Sequence, residues 1–307
     1  MWAEALSAKF IILYVFILSA VFVHYRGRER HRFTRQLTDH STFMAPINVF
    51  MYLFSAVPNK PILDRDRFPE LDTLRDNWRT IREEALALFH QGEIKRSETF
   101  DDLAFNSFFK KGWKRFYLKW YDEIYPSALD SCPQTVALLE KVPSLNAAMF
   151  TMLPPGSELV RHRDPYAGSL RYHLGLVTPN DDRCRIYIDG TPYSWRDGDD
   201  IVFDETYIHR AMNESDLHRL ILFCDIARPM RYRFADAVNR FFCRRLLRAA
   251  ATKNTGGEKV GVLNRLFGYI YPLRLKAKAL KKRNRQLYYA LKYLQFGTIF
   301  FLIFYFL

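Results

Sequence analysis

The segment Leu159-Val160-Arg161-His162-Arg163-Asp164 lies in a region of short strand-like stretches separated by turn sequences. A firm turn at Pro154-Pro155-Gly156 precedes the segment, and Asp197-Gly198-Asp199 is one of several turns that follow it. Many short antiparallel strands predict a mainly β core, a double sheet of the jelly-roll or cupin type, with α-helices around it. The predicted strands are residues 147–153, 159–164, 170–177, 185–188, 201–203, 207–212 and 220–226.

Three side chains of this region have the chemistry of a metal site. His162 and Asp164 are two positions apart, so on a strand they would point to the same face. His209, on a later predicted strand, would complete a set of two imidazoles and one carboxylate. That set suits a non-haem Fe(II) centre with open coordination positions. An ordinary surface or core pair can have the same spacing, so the pattern alone leaves both interpretations open.

Composition restricts the class of protein. The chain has 307 residues, of which 49% are hydrophobic, and its formal net charge is +13. It is too apolar to be disordered, and it has room for one large domain plus membrane segments. The positive charge indicates an anionic partner, either nucleic acid or an anionic membrane surface. The four cysteines are widely spaced and predict neither a disulfide framework nor a zinc site.

The N-terminal part is apolar and then basic. Residues 10–23 carry no charge, and an arginine-rich stretch follows them. We expect residues 1–25 to form a transmembrane anchor with the rest of the protein in the cytoplasm, by the positive-inside rule. A buried core helix is the alternative. Residues 26–60 form a basic juxtamembrane and interfacial segment, in which the uncharged residues 41–59 form either an interfacial helix or a helix packed on the core.

Residues 105–121 interleave aromatic and basic side chains. Such a surface can bind nucleic acid or an amphiphile with an anionic head group, and it can also be an aromatic core face with a solvated basic face. The neighbouring membrane segments favour an amphiphile over nucleic acid. The substrate-contact candidates are Phe109, Lys110, Lys111, Trp113, Lys114 and Arg115.

The C-terminal part is strongly basic. Residues 231–292 predict basic amphipathic helices, which suit an anionic membrane face or simply a solvated surface. Residues 293–307 carry no charge and predict a C-terminal membrane segment, although they are short for a complete span.

Four sequence blocks, residues 161–165, 170–176, 203–209 and 219–222, resemble the aspartyl/asparaginyl β-hydroxylase family. The resemblance implies an Fe(II)- and 2-oxoglutarate-dependent dioxygenase domain over residues 61–230, folded as a double-stranded β-helix. Further blocks at residues 36–46, 105–109, 152–157 and 264–269 are similar to the bacterial lipid A 2-hydroxylases of that family. That similarity covers nearly the whole chain.

The resemblance also implies roles for particular residues. His162, Asp164 and His209 would hold the iron, and Arg219 would bind the distal carboxylate of 2-oxoglutarate. Arg171 and His173 match positions that contact this cosubstrate, and Thr151 is a weaker match beside the same carboxylate. Two alternatives remain open, since His173 can be a core histidine and Arg171 can pair with Asp204 or Glu205. His40, His90 and His218 are expected to be surface or core residues.

The expected function is therefore hydroxylation of carbon 2 of a fatty acyl chain of lipid A, with O2 as second cosubstrate, at the cytoplasmic face of the bacterial inner membrane. The lipid A phosphates and acyl chain, together with anionic inner-membrane lipid, would be the partners. We expect no nucleic acid and infer no obligate protein partner. The alternatives are a membrane-anchored peptidyl aspartate/asparagine β-hydroxylase and a non-catalytic basic protein that binds membranes.

Overall fold

A computed structural model describes residues 8–96, 102–103 and 105–306. Within these residues, eleven strands form two antiparallel sheets. The strands are β1 (Ile62–Leu63), β2 (Lys114–Trp120), β3 (Glu123–Ile124), β4 (Leu145–Leu153), β5 (Ser157–His162), β6 (Ser169–Val177), β7 (Cys184–Ile188), β8 (Thr191–Ser194), β9 (Asp200–Phe203), β10 (His209–Asn213) and β11 (Arg219–Ala227).

The larger sheet has the order β1-β9-β6-β11-β4-β2-β3, and the smaller sheet has the order β5-β10-β7-β8. From β4 to β11 the chain passes back and forth between the two sheets, which is the connectivity of a double-stranded β-helix. The prediction of a mainly β core is confirmed, and each of the seven predicted strands overlaps an observed one. Strand β8 was missed because residues 189–197 read as turns.

Helices cover the outside of this core. They are α1 (Ala8–Tyr25), α2 (Phe33–Gln36), α3 (His40–Phe43), α4 (Ala45–Leu53), α5 (Asp72–Asp76), α6 (Trp78–His90), α7 (Asn106–Phe109), α8 (Pro126–Ser131), α9 (Pro133–Glu140), α10 (Arg233–Phe242), α11 (Val262–Arg283) and α12 (Arg285–Phe306). A π-helical turn, Cys243–Leu247, continues α10.

Helix α6 shows how sequence spacing produces this packing. Ile81, Ala85 and Leu88 recur at intervals of four and three, so they share one face, and all three are buried. The helix ends just before Gly92, whose φ of +75° favours glycine. Because α6 packs against β6 on the outer side of the larger sheet, β6 is buried on both faces.

The N-terminal helices pack on the core. Helix α4 buries Ala45, Asn48, Met51 and Tyr52, and it lies against α1. The part of residues 41–59 that forms α4 is therefore a core helix rather than an interfacial one. In the parts of the chain that the structure describes, no helix combines the length and the apolar character needed to cross a membrane. Residues 1–7 of the predicted anchor and Leu307 of the predicted C-terminal segment lie outside the described residues.

The last two helices differ from the rest. Helix α11 buries Asn264, Phe267 and Tyr271, whereas most of its length and most of α12 are exposed. Their predicted helical character is confirmed, and their predicted attachment to a membrane stays a prediction.

Candidate metal centre

The three predicted metal ligands come together between the two sheets. One nitrogen each of His162 and His209 and one carboxylate oxygen of Asp164 all lie within 4.8 Å of one another. His162 ends β5 and His209 begins β10, and the two are direct partners in the register of these antiparallel strands. Strand pairing therefore brings the imidazoles together, with 4.2 Å between ring centroids.

Backbone carbonyls fix how each imidazole is oriented. His162 Nδ1 donates to the carbonyl of Val160 over 2.7 Å, and His209 Nδ1 donates to that of Tyr207 over 3.0 Å. A nitrogen that donates carries the proton, so Nε2 of each ring keeps its lone pair. Oriented Nε2 atoms of this kind are typical of metal-binding histidines.

Asp164 lies beyond the end of β5, so the strand alternation assumed from the sequence does not place it. Its backbone amide donates to the carbonyl of Glu205 over 2.9 Å, and its Oδ2 accepts from Arg171 over 2.7 Å. Its Oδ1 lies 3.7 Å from His162 Nε2. One oxygen is thus held by an arginine while the other faces the two imidazoles.

Burial and neighbouring charge favour the ligand form of all three groups. Burial, reinforced by His209, lowers the pKa of His162 to about 3. Burial also lowers the pKa of His209. The pKa of Asp164 lies below its usual range because Arg171 and the two histidines outweigh the effect of burial. Two neutral imidazoles and one carboxylate at neutral pH are the forms that bind a divalent cation.

Arg171 is the centre of an acidic cluster. Its guanidinium contacts Glu205 and Asp164, and its Nε lies 3.0 Å from Asp225 Oδ1. It also lies over the ring of Phe223, 3.7 Å from the centroid. These carboxylates raise the pKa of Arg171 despite its burial. The structure therefore realises the alternative in which Arg171 pairs with Glu205, and its predicted contact with the cosubstrate stays a prediction.

Arg219 is the second buried arginine of the cavity, and its surroundings are different. Its side chain contacts Trp195, 4.4 Å from the ring centroid, and Nη2 lies 3.4 Å from the Thr151 hydroxyl. Within the described residues no carboxylate pairs with it. Burial lowers its pKa to about 10. A buried guanidinium without a carboxylate is a ready site for an anion.

His173 lies between the two arginines. It is buried against the rings of Phe203 and Phe223, with centroids 5.0 and 5.1 Å away. Neither ring nitrogen has a hydrogen-bond partner, and burial lowers its pKa well below the usual value. An unpartnered polar group in such a place points to a missing ligand or water.

The cavity around these groups has a volume of about 30 Å³ and a mostly apolar wall. The ring of Phe108 lies 4.8 Å from that of His162, and Phe105 stacks on Trp113 at 4.9 Å. Leu159, Ile186 and Ala211 complete the apolar lining from the smaller sheet. Apolar side chains thus line the space beside the candidate metal ligands.

The substrate-contact candidates from residues 109–115 divide into three groups. Trp113 lines the cavity, and Phe109 packs against it in the core. Lys110 and Lys111 reach out to Tyr271 and Glu158, and Lys114 is half-buried near His218. Arg115 is corrected: it is 2% exposed and forms a buried ion pair with Asp102 at 3.1 Å, so it contributes to the core.

Two important residues of the site were missed by sequence reasoning. Trp195 follows β8 and lies over Arg219, and Asp225 on β11 holds Arg171. Asp225 alone had a usable signal, because a charged residue within the otherwise apolar stretch 220–226 requires a buried partner. His218, by contrast, lies against Phe89 outside the cavity, as strand alternation predicts.

Comparison with known proteins gives the family. The model of a family described as aspartyl/asparaginyl beta-hydroxylase matches residues 75–229, which include the three candidate ligands and both arginines. The ornithine lipid ester-linked acyl 2-hydroxylase of Rhizobium tropici is 33% identical over 183 residues, which are 58% of this chain and 64% of that protein. The human aspartyl/asparaginyl beta-hydroxylase is 29% identical over 165 residues, 51% of this chain and 21% of that protein.

Among solved structures, a prolyl-4-hydroxylase of Pseudomonas putida matches 50% of this chain and 87% of its own, with 20% identity and a TM-score of 0.35. The chain spans less than two thirds of the length of each of the two curated relatives described above. The family model, however, covers half of the chain and the whole of the candidate site. The chain belongs to the aspartyl/asparaginyl β-hydroxylase family.

Proposed function

We propose that the protein hydroxylates carbon 2 of a fatty acyl chain of a membrane lipid, with Fe(II) at His162, Asp164 and His209 and with 2-oxoglutarate as cosubstrate. The carrying observation is the pairing of two sites in one aromatic cavity. Two Nε2 atoms and a carboxylate converge at one place, and Arg219 lies elsewhere in the same cavity with no acidic partner among the described residues.

The donor set fits iron of the non-haem type, which prefers two histidines and one carboxylate with open positions. Bound there, Fe(II) with O2 and 2-oxoglutarate would supply the conversion of a C–H bond to C–OH, with release of succinate and CO2. The protein's part is to bind and orient the substrate and the cosubstrate and to exclude water. Arg219 would bind the distal carboxylate of 2-oxoglutarate in two parallel hydrogen bonds, beside the Thr151 hydroxyl.

Arg171 would keep Asp164 ionised and correctly turned, because it binds the carboxylate oxygen that faces away from the imidazoles. Phe105, Phe108 and Trp113 would keep water from the reacting carbon and give the acyl chain an apolar surface. A charged or strongly polar substrate would lose its hydration against these rings without compensation.

Two observations support a lipid substrate. The relative from Rhizobium tropici is named an acyl 2-hydroxylase, and the family it shares with this chain covers the site. Apolar side chains are exposed on α1, α11 and α12, and basic residues are dense in the stretch after α1 and along α11. We propose lipid A, whose phosphates suit those basic residues, as the substrate, at the cytoplasmic face of the bacterial inner membrane.

A peptide substrate is the second candidate, because the human relative is an aspartyl/asparaginyl hydroxylase. The apolar wall of the cavity favours the acyl chain, since a peptide carboxylate or amide would need a polar partner there. Mass spectrometry of both substrate types separates the two candidates.

The test uses a bacterial host whose lipid A lacks 2-hydroxyacyl chains. We expect wild-type protein to add one oxygen to an acyl chain of lipid A and His162→Ala protein to add none. His90→Ala is the matched control, because His90 is an exposed histidine at the end of α6. Mass spectrometry of the same extracts also shows whether ornithine lipid or other acyl lipids gain an oxygen. Unmodified acyl lipids with a hydroxylated peptide, or equal product from His162→Ala, would refute the proposal.

A further inference from the structure

Side chains from the N-terminal part of the chain form hydrogen bonds with the backbone that carries His162 and Asp164. Its carbonyls at positions 161, 163 and 165 each accept a hydrogen bond from a side chain more than a hundred residues earlier. The two ligand side chains occupy the positions between these carbonyls. The bonds are Arg35 Nη2 to Arg161 O at 2.9 Å, His40 Nε2 to Arg163 O at 2.7 Å, and Asn48 Nδ2 to Pro165 O at 2.9 Å.

The residue between the two ligands makes a further bond in the opposite direction. Arg163 is 2% exposed, and its Nη1 donates to the carbonyl of Val23 over 2.9 Å. Val23 lies in the last turn of α1, where carbonyls have no partner within the helix and the helix dipole favours a positive charge. The end of α1 and the metal-ligand segment are thus joined directly.

The N-terminal part of the chain also binds the segment before His209. Arg26, just after α1, contacts Asp204 and donates to the Thr206 hydroxyl over 2.7 Å. These two residues flank Glu205, which binds the guanidinium of Arg171. The guanidinium of Arg26 is sandwiched between the rings of Tyr52 and Tyr207, 3.8 and 3.9 Å from their centroids.

We propose that Arg26, Arg35, His40 and Asn48, together called the N-terminal clamp, are positioning residues for the metal centre. The inference rests on the metal site of the proposed function. The sequence suggests that residues 26–60 only link an anchor to the catalytic domain. The hydrogen bonds give this segment a second role, because it fixes the backbone from which His162 and Asp164 project.

The physical reason lies in the irregular backbone at this place. Strand β5 ends at His162, so no strand pairing restrains residues 163–168. In this stretch His40 and Asn48 bind the carbonyls at 163 and 165, the Ala167 amide donates to Asn48 Oδ1 over 2.9 Å, and the Asp164 amide donates to Glu205, so these bonds take the place of a ladder. Groups that orient the ligands of a metal change its affinity about 10- to 100-fold when they are removed.

His40 is the best position for a test because its side chain is 50% exposed, so its removal leaves no cavity in the core. The probe is Co²⁺, whose visible absorption reports both its affinity and the geometry of its ligands. We compare the full-length wild-type protein with His40→Ala, His40→Gln and His90→Ala. The amide of His40→Gln keeps a donor for the Arg163 carbonyl, and His90→Ala removes an exposed histidine elsewhere.

We expect His40→Ala to weaken Co²⁺ binding about tenfold and to change the absorption spectrum, with the melting temperature unchanged. We expect His40→Gln to recover most of the affinity and His90→Ala to match the wild type. Arg35→Ala, at a second exposed clamp position, should act in the same direction.

Equal Co²⁺ affinity and spectrum in wild type, His40→Ala and Arg35→Ala would overturn the clamp and leave the proposed function standing. Equal losses in His40→Ala and His40→Gln, with a parallel fall in melting temperature, would reduce His40 to a structural residue. Failure of the wild type itself to bind Co²⁺ would overturn the metal centre and the clamp together.

Discussion

Two buried arginines share the cavity, and their surroundings are opposite. Arg171 contacts three carboxylates, Asp164, Glu205 and Asp225, and its pKa is raised. Arg219 has the Thr151 hydroxyl and the Trp195 ring beside it, no carboxylate among the described residues pairs with it, and burial lowers its pKa to about 10. The same residue type therefore serves two purposes. Arg171 is neutralised by the protein, while Arg219 requires an anion from outside.

The three carboxylates around Arg171 differ in the direction of their pKa shifts. The pKa of Asp164 is lowered, whereas burial raises the pKa of Glu205 and of Asp225. One positive charge cannot stabilise three buried negative charges. The protein keeps the carboxylate beside the imidazoles ionised, and the other two carboxylates accept protons more readily.

The largest expected effect is on stability, and its sign should differ between the two arginines. Arg171→Met leaves the acidic cluster without its cation, so we expect the free energy of unfolding to fall by about 3–5 kcal/mol. Arg219→Met removes a buried charge that the metal-free protein does not neutralise, so we expect a rise of about 1 kcal/mol. Urea unfolding in the presence of a chelator measures both.

Arg210→Met is the matched control for these variants, since Arg210 lies on the outer face of β10 over the ring of Tyr187, 4.5 Å from its centroid. It should change the free energy of unfolding by less than about 1 kcal/mol. A decrease for Arg219→Met comparable to that for Arg171→Met would mean that both arginines are structural.

The second effect concerns the cosubstrate. If Arg219 binds the distal carboxylate of 2-oxoglutarate, Arg219→Met should raise the KM for 2-oxoglutarate by about a hundredfold, since loss of a buried charge pair costs at least about 2–5 kcal/mol. Arg219→Lys should recover part of this, because a lysine keeps the charge and loses the two-pronged geometry. Release of succinate at varied 2-oxoglutarate concentration is the measurement.

Succinate release also distinguishes the role of Arg171 from that of Arg219. An Arg171 variant should lower activity through the metal site, with a weaker apparent affinity for Fe(II) and a nearly unchanged KM for 2-oxoglutarate. If the KM rises equally in Arg171 and Arg219 variants, the cosubstrate contacts both residues, as the family resemblance implies for Arg171.

The local parts of the fold could be predicted from sequence. Turn sequences between short segments predicted the strands of the core, and residue type and spacing together with the family resemblance indicated the three candidate metal ligands that the structure brings together. The reason given for Asp164 was nevertheless wrong. Asp164 lies past the end of β5 and is placed by contacts with Arg171 and the Glu205 backbone, and pairing of this kind leaves no periodic signal in the sequence.

Long-range pairing also explains the other differences. Arg115 was expected to meet substrate because it stands among exposed lysines, but it points inward to Asp102. His40 was expected to be an ordinary surface or core residue, and it bonds the carbonyl between two metal ligands from 123 positions away. Burial of a charge, and the carbonyl that a side chain reaches, depend on the tertiary fold and not on neighbours in sequence.

The smallest expected effect is a pH dependence at the metal end of the cavity. In the folded, metal-free protein the pKa of His162 is about 3, while in the unfolded chain it is near the ordinary value of 6.5. The unfolded state therefore binds a proton first as the pH falls, so this histidine's contribution to stability is complete above pH 6.5 and is lost below it. Between pH 7 and pH 5 the loss should be about 2 kcal/mol.

His162→Gln removes this titration, so its free energy of unfolding should fall less between pH 7 and pH 5 than that of the wild type. Saturating Co²⁺ should raise the wild-type free energy of unfolding and leave its slope between pH 7 and pH 5 unchanged, since the imidazole is unprotonated in the folded protein with or without the metal. Arg219 lies at the other end of the cavity, so Arg219→Met should keep the wild-type slope of the free energy of unfolding against pH. Parallel curves for wild type and His162→Gln would mean that the pKa of His162 is the same in the folded and the unfolded protein, so that burial does not keep the imidazole in its neutral, metal-binding form below pH 6.5.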